Sequence, residues 1–373
     1  MFKWYFVIFV IIVLLFYLGL NYYIYNRIVN GLLITGNVKY FIRLFFIICA
    51  SLFIITEIFI RRYPFFIIKQ ISYIGMIWLG LISIAFTIFL INDILQIFFR
   101  SQSYRYYSTI CSIIILLLAT IYSIYNAEHN LEIKEIRIKF NKLSDRLKGF
   151  SIVHLSDLHL NYLKTTKWLN KVVNETNKLT PDIVVITGDL IDAELNESSQ
   201  FCDILKRLMT KHGVYAVTGN HEYYAGIDKF IKFAKESNIT ILMNENISLD
   251  DKIIISGIND NQGIRFSMQG TDLNRALNYP KKIDDNKLIV LLSHQPDIFD
   301  KSSELGVDLQ LSGHTHAGQI PPMDILVKLY FKYSYGLYHK NSAYLYTSAG
   351  TGTWGPPMRL TSCSEIVKFI FEK

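Results

Sequence analysis

Four long apolar runs occupy the first third of this 373-residue chain and constrain its fold more than any other feature. They extend from Trp4 to Leu20, Tyr40 to Ile60, Ile71 to Ile91 and Ser108 to Tyr125. The last three offer about 18 to 21 residues each, which matches a hydrocarbon layer of about 30 Å at about 1.5 Å per helical residue. A soluble helical core is excluded because such uninterrupted runs leave no polar face for water. The sequence therefore predicts four transmembrane helices, with the membrane lipid bilayer as a partner.

Charge divides the chain into two parts. Charged residues are scarce before about residue 126 and common afterwards, so we expect a transmembrane segment at 1–126 and a second domain at 127–373. The net charge of +7 is not a nucleic-acid footprint, because no Lys/Arg cluster is interleaved with aromatic residues. No nucleic-acid partner is expected.

Basic residues in the loops predict the orientation of the four helices. The side that holds the N-terminus carries seven of them and the opposite side four (Arg27, Lys39, Arg100 and Arg105). The seven are Arg61, Arg62, Lys69, Lys134, Arg137, Lys139 and Lys142. Cytoplasmic loops carry an excess of Lys and Arg. The bias favours a multi-pass cell-membrane protein with its C-terminal domain on the cytoplasmic side.

Short apolar runs that each end in a polar block characterise the second domain. Five have strand length: Ser151–Leu155, Ile183–Ile186, Val214–Val217, Leu288–Leu292 and Val307–Leu311. Their continuous apolar character predicts strands buried on both faces, with helices between them at 164–177 and 200–211. A further strand begins at Leu131, where the spacing of Ile133, Ile136 and Ile138 predicts a slip or a bulge. We expect an α/β domain.

Five of the nine histidines fall in the polar blocks that follow these strands. The blocks are Asp157-Leu158-His159, Gly188-Asp189, Gly219-Asn220-His221-Glu222, Ser293-His294 and Gly313-His314-Thr315-His316. Imidazole, carboxylate and amide oxygen without cysteine suit a hydrolytic site built on divalent metal ions. Open α/β sheets place their sites at the carboxyl ends of strands. Each block alone is a weak signal, but the five together predict one metal-dependent phosphoesterase site.

Two further features lie near the predicted site. His154 lies inside an apolar strand and is expected to be a hydrogen-bonded supporting residue, because the five blocks already supply enough ligands. The stretch Trp354-Gly355-Pro356-Pro357 has two interpretations, a rigid turn or a wall beside the metals. The sequence leaves both open.

The order of the blocks, DxH, GD, GNHE, SH and GHTH, resembles the calcineurin-like metallophosphoesterase superfamily over residues 127–373. The segments His316-Ala317-Gly318-Gln319 and Gly350 to Arg359 are similar to its bacterial membrane-associated branch. The resemblance implies a four-layer αββα sandwich with two divalent metal ions, for which Mn, Fe, Zn and Mg all remain candidates.

The resemblance also implies a role for each residue. Asp157, His159 and His316 would hold the first ion, and Asn220, His294 and His314 the second. Asp189 would bridge both ions. His221 would be a catalytic proton donor or charge stabiliser over the substrate phosphate, oriented by Glu222. These roles describe a phosphoric ester hydrolase in which a hydroxide bridging the two ions attacks the phosphorus.

The substrate remains open at this stage. A phosphate monoester, a diester or a pyrophosphate would fit, and it could be lipid-linked, a soluble nucleotide or a phosphoprotein. An alternative from another class is a membrane sensor or transporter-like protein whose metal-binding domain is regulatory. The complete set of predicted ligands favours the enzyme.

Overall fold

The computed structural model describes residues 2–60, 63, 65–192, 198–249, 252–278 and 287–373. Arg61 and Arg62, which contributed to the predicted orientation, lie outside these residues. The chain divides into two compact units. The helical unit contains residues 1–126 with Ile320–Pro322 and Gly355–Leu360, and the α/β unit contains the remainder. The single boundary at residue 126 therefore stays a proposal.

Four long helices form the helical unit. They are α1 (Phe2–Gly31), α2 (Gly36–Ile60), α3 (Phe66–Phe98) and α4 (Gln102–His129). Each is long and apolar enough to cross a membrane, which confirms the four predicted helices. They extend beyond the apolar runs because polar residues at the ends of a span can continue the helix outside a hydrocarbon layer.

Two short segments from late in the chain pack among these helices. Ile320 and Met358 are buried in the apolar cluster that the helices form. The Ser83 hydroxyl on α3 donates a hydrogen bond to the Pro321 carbonyl oxygen at 2.8 Å. Some residues of the helical unit are therefore direct neighbours, along the chain, of the predicted site motifs.

Two six-stranded sheets form the described part of the α/β unit. The strands are β1 (Leu131–Lys139), β2 (Ser151–Leu155), β3 (Ile183–Thr187), β4 (Val214–Val217), β5 (Thr240–Ile241), β6 (Glu245–Leu249), β7 (Ile253–Gly257), β8 (Leu288–Leu292), β9 (Leu309–Ser312), β10 (Gly336–Lys340), β11 (Ala343–Thr347) and β12 (Ser364–Glu372). Their spatial orders are β1-β12-β2-β3-β4-β5 and β10-β11-β9-β8-β7-β6. Strands β2 to β5 run parallel, as do β7, β8, β9 and β11.

Alternating side chains of β3 contribute to two separate cores. Ile183 and Val185 of β3 pack between the sheets with Val290 of β8, whereas Val184 and Ile186 pack under helices. The helices of this unit are α5 (Thr166–Lys178), α6 (Ser198–Leu205), α7 (Asn220–Ala225), α8 (Ile227–Glu236), α9 (Gln262–Arg265), α10 (Leu273–Ala276), α11 (Phe299–Glu304) and α12 (Met323–Tyr330). Helices α5, α6 and α8 cover the first sheet, and α10 covers the second. The predicted four-layer αββα sandwich is confirmed.

The predicted slip or bulge in β1 is wrong. The strand pairs with β12 in unbroken register, from Leu131 opposite Ser364 to Lys139 opposite Glu372. The apolar spacing was misleading because Lys134 takes an inward position, where its ammonium forms an ion pair with the Glu365 carboxylate at 2.7 Å. Ile133 is instead exposed on this edge strand.

Candidate metal centre

Five strands bring the predicted residues to one edge of the sandwich. Strands β2, β3 and β4 of one sheet and β8 and β9 of the other each end within three residues of a polar block. Because the strands within each group are parallel, their carboxyl ends meet at the same edge. All seven predicted ligands and His221 come together there.

One side of the site contains Asp157, His159 and His316. The Nε2 atoms of the two histidines lie 3.0 Å apart, and His316 Nε2 lies 3.5 Å from Asp157 Oδ1. Asp157 and His159 are fully buried, and His316 nearly so. This group could hold a metal ion.

The other side contains Asn220, His294 and His314. His294 Nε2 lies 3.1 Å from Asn220 Oδ1 and 3.1 Å from His314 Nδ1. Together with Asp189, the two histidines form a second group that could hold an ion.

Asp189 lies between these two groups. Its Oδ2 is 3.2 Å from His294 Nε2 and 3.7 Å from His159 Nε2. Its Oδ1 accepts a hydrogen bond from the backbone N–H of His221 at 2.9 Å. One carboxylate oxygen therefore faces a histidine from each group.

Hydrogen bonds fix which nitrogen of His294 carries a proton. Its Nδ1 lies 2.8 Å from the Thr187 carbonyl oxygen, which can only accept, so Nδ1 is the donor. In the neutral ring, Nε2 then presents a lone pair toward Asp189 Oδ2 and Asn220 Oδ1, both acceptors. Three acceptor atoms that converge in this way need a proton or a metal cation between them. The donor set fits a divalent metal ion with nitrogen and oxygen ligands.

The pKa shifts of these groups also indicate that the site favours positive charge. Burial alone would lower the pKa of His294, but Asp189 raises that pKa well above its ordinary value. Burial raises the pKa of Asp157. Burial would also raise the pKa of Asp189, but His294 holds that pKa well below its usual range.

Backbone strain is concentrated at the same residues. Five of the predicted ligands have φ in the left-handed region, which residues other than glycine rarely adopt. They are Asp157 (54°), His159 (47°), Asp189 (48°), His314 (72°) and His316 (51°). Residues held in this region cluster at functional sites, where the surrounding fold offsets the strain.

Gly188 allows a close approach of the backbone beside the site. Its φ is 85°, and a Cβ at this position would lie 2.7 Å from Gly219 N and from His294 Nδ1. A side chain would therefore displace both neighbours, which explains why glycine precedes Asp189.

His221 lies at the rim of the site beside the two groups. Its Nδ1 is 2.6 Å from Asp192 Oδ1, and its Nε2 is 4.0 Å from Asp189 Oδ2. Burial lowers the pKa of His221, but Asp189 and Asp192 outweigh it and raise the pKa to about 9. With His159 and Asp189 it also forms a third group that could hold an ion, so distance alone does not separate ligand from proton donor.

The prediction that Glu222 orients His221 is wrong. The Glu222 carboxylate is fully buried and accepts four backbone N–H groups, those of Gly219, Asp189, Leu190 and Ile191 at 2.6, 2.9, 2.8 and 3.1 Å. Burial and Asp189 raise the pKa of Glu222 to about 7, against the lowering effect of the N–H donors. Successive helical residues point about 100° apart, so Glu222 faces the loops while His221 faces the site.

Asp192 is the residue that sequence reasoning missed. Its Oδ1 lies 2.8 Å from His159 Nδ1 and 2.6 Å from His221 Nδ1. It therefore orients both rings, the role that carboxylates often have behind metal-binding histidines. The available signal was its place three residues after Asp189 in the same loop.

His154 supports the site from within β2, as predicted. Its Nε2 lies 2.7 Å from Thr187 Oγ1, and the Thr187 hydroxyl donates to Ser156 Oγ at 2.8 Å. Burial lowers the pKa of His154 to about 3, so the ring is neutral. Ser156 in turn donates to Asp157, which links His154 to the site through hydroxyl groups.

Trp354 lies at the edge of the site next to His221. The two ring centroids are 5.9 Å apart, and the Trp354 side chain is 54% exposed. Its backbone N–H and carbonyl exchange two 3.1 Å hydrogen bonds with the Gln319 amide. Of the two interpretations of the Trp354-Gly355-Pro356-Pro357 stretch, this geometry favours a wall beside the site over a simple turn.

Comparison with known proteins identifies the family. The profile of the calcineurin-like phosphoesterase family matches residues 150–318. An uncharacterized metallophosphoesterase of Campylobacter jejuni is 34% identical over 97% of this chain and 97% of its own length. The chain belongs to the calcineurin-like metallophosphoesterase family.

Other metallophosphoesterases match over shorter stretches. An uncharacterized metallophosphoesterase of Helicobacter pylori is 40% identical over 63% of this chain and 62% of its own length. A transmembrane protein with metallophosphoesterase domain from Danio rerio is 32% identical over 73% of this chain and 64% of its own length. The chain thus spans less than two thirds of the length of these two relatives.

Proposed function

We propose that this protein is a membrane-embedded phosphoesterase that uses two divalent metal ions to hydrolyse a phosphate ester or pyrophosphate. One observation carries the proposal: two groups of metal-type ligands share Asp189, whose Oδ2 faces His294 and His159 at 3.2 and 3.7 Å. Two ions at such a site would lower the pKa of a water held between them and clamp the phosphoryl oxygens for in-line attack.

The protein residues divide into ligands and a proton donor. Asp157, His159 and His316 serve one ion, whereas Asn220, His294 and His314 serve the other. Asp189 serves both. The neutral oxygen of Asn220 limits the negative charge at a centre that must accept a phosphate anion.

His221 protonates the leaving oxygen in this proposal. Its Nδ1 contacts Asp192 and its side chain remains partly exposed at the rim, so Nε2 is available to a bound substrate. A positioned general acid of this kind contributes about 10²–10⁴-fold to a rate.

A substrate with an apolar tail suits the rest of the chain. Four helices are long and apolar enough to cross a bilayer, and Ile320–Pro322 and Gly355–Leu360 belong to the helical unit. These segments directly follow Gln319 and Trp354, which are hydrogen-bonded to each other, and Trp354 lies beside His221. These features support a lipid-linked phosphate ester as the substrate, with cytoplasmic placement of the α/β unit favoured by the loop charges.

Metal-dependent hydrolysis by the full-length protein in detergent micelles tests the proposal. The protein is stripped of metal, reloaded with Mn²⁺ and assayed on bis(p-nitrophenyl) phosphate, with bound metal measured in parallel. Asp189→Asn should lose both bound metal and turnover, because it alone serves both ions. Asp203→Asn is the matched control, since its side chain is 72% exposed in an ion pair with Lys206. An Asp189→Asn protein with two tightly bound ions and normal turnover would refute the bridging role.

A regulatory metal-binding domain is the second candidate function. It predicts metal binding without hydrolysis of any ester, so the same assay separates the two. His221 and Asp192 lie beside the seven proposed ligands, and this pair favours catalysis because a purely regulatory site needs no proton donor.

A further inference from the structure

Helix α12 exposes an unusual amount of apolar surface. None of its residues, Met323–Tyr330, is buried within the structure. Leu329 is 79% exposed and Tyr330 82%, and Ile325 and Leu326 are at least half exposed. Contiguous apolar patches of this kind on a folded domain mark a surface that contacts another molecule or a membrane.

The chain position of α12 indicates what covers it. The helix begins at the residue after Pro322, and Ile320–Pro322 belong to the helical unit, where Ile320 is buried in the apolar cluster. The peptide bond between Pro322 and Met323 therefore joins α12 directly to a segment of the helical unit. If those helices cross a bilayer, the segment that leads into α12 belongs to the membrane-spanning unit.

The other connections of α12 lead to the metal centre. At its N-terminal end, the Asp324 backbone lies so close to Gly318 that a Cβ there would collide with it, and Gly318 is two residues after His316. At its C-terminal end, the ring of Phe331 lies 5.6 Å from the ring of His314. The exposed apolar side chains are therefore carried on a helix with a metal-centre histidine near each end.

The residue types of α12 suit a bilayer surface. Four of the eight residues of the helix are aliphatic, Tyr330 is its last residue and Phe331 follows it, and Lys328 is exposed. Aromatic side chains favour the membrane interface, and a lysine can extend to anionic headgroups. A second copy of the chain would also cover apolar surface, but it would not account for the link to the helical unit.

We propose that α12 inserts its apolar side chains into the acyl region of the bilayer and so delivers amphiphilic phosphate esters to the metal centre. This inference rests on the proposed membrane phosphoesterase function. It adds a residue-level membrane contact outside the four long helices and narrows the substrate class to esters with an acyl or alkyl chain.

Photo-crosslinking tests the contact without any need for catalysis. The photo-reactive residue p-benzoylphenylalanine replaces Leu329 in the full-length protein, reconstituted in vesicles of phosphatidylcholine with a minor share of phosphatidylglycerol. The matched control replaces Met209, which is 64% exposed on the same unit. Lipid adducts at position 329 and not at 209 are expected. Adducts with a second copy of the chain, or no more adducts than at 209, would overturn the proposal.

Substrate preference tests whether α12 delivers amphiphilic phosphate esters to the metal centre. We compare kcat/KM for hexadecyl and ethyl p-nitrophenyl phosphate in the same vesicles. The double variant Leu326→Gln/Leu329→Gln should reduce the preference for the hexadecyl ester by about tenfold or more, because two apolar contacts with hydrocarbon are lost. Met209→Gln is the control. An unaltered preference would overturn the delivery role, whereas lipid adducts with no hydrolysis of either ester would count against the phosphoesterase function alone.

Discussion

Replacement of Glu222 tests how the loops of the metal centre are held. Both carboxylate oxygens accept two backbone N–H groups: Oε2 accepts those of Gly219 and Asp189, and Oε1 those of Leu190 and Ile191. Glu222→Gln keeps the size of the side chain but turns one acceptor oxygen into an amide donor. Two of the four buried N–H groups then lose their acceptor.

The expected cost follows from those two donors. A buried donor left without a partner costs about 1–3 kcal/mol, so the loss is about 2–6 kcal/mol. Small shifts of the side chain recover part of it, and we expect about 3 kcal/mol. Since about 1.4 kcal/mol corresponds to tenfold, amides that exchange through local opening should exchange about 100-fold faster.

Amide hydrogen exchange of the full-length protein, read by mass spectrometry at pH 8, measures this effect. At that pH the Glu222 carboxylate, with its pKa of about 7, is mainly ionised in the parent protein. Peptides that cover 187–192 and 217–222 report the affected amides, and a peptide in β7 (Ile253–Gly257) reports the distant sheet. The matched control is Glu245→Gln, a side chain that is 55% exposed and should change exchange by less than about threefold. If Glu222→Gln behaves like this control, the carboxylate does not hold these amides.

Three further substitutions test individual roles at the centre. His221→Ala should leave bound metal intact and lower turnover of alkyl phosphates by about 10²–10⁴-fold, with a smaller loss for p-nitrophenyl esters, whose leaving group needs no proton; equal losses would exclude proton donation. Asp192→Asn should weaken metal affinity by about 10–100-fold in a chelator competition, because His159 loses the carboxylate that orients it; unaltered affinity would contradict that role. Trp354→Ala should raise KM with metal content unchanged if Trp354 is a wall of the site, whereas a constant KM would return it to a simple turn.

Local pattern predicted the secondary structure best where burial is uniform. Strands such as β3 were recognised because every side chain is buried, and the long helices were recognised by their length and apolar composition. The edge strand β1 misled the analysis because Lys134 occupies an inward position through its ion pair with Glu365. That pairing joins residues more than two hundred positions apart, so no local pattern contains it.

In the candidate site, too, a local sequence pattern revealed some residues, whereas the roles of others depend on contacts with distant parts of the chain. Asp157, Asp189 and His314 stand out in sequence because each follows a buried strand in a short polar block. Asp192 and Glu222 did not reveal their roles, since one acts on two histidines from different loops and the other on backbone N–H groups. Because every residue except proline has a backbone N–H group, a residue pattern does not show which of these groups a side chain will bind.

The sequence by itself determined which residue types the chain could offer: four helices apolar enough to span a bilayer, and a set of nitrogen and oxygen ligands at strand ends. Only the tertiary structure decided that Asp189 faces histidines of two groups and that Ile320 and Met358 return to the helical unit. It also decided that α12 leaves its apolar side chains uncovered. The physical reason is that composition fixes what a side chain can bind or bury, whereas distance and exposure depend on parts of the chain that meet only after folding.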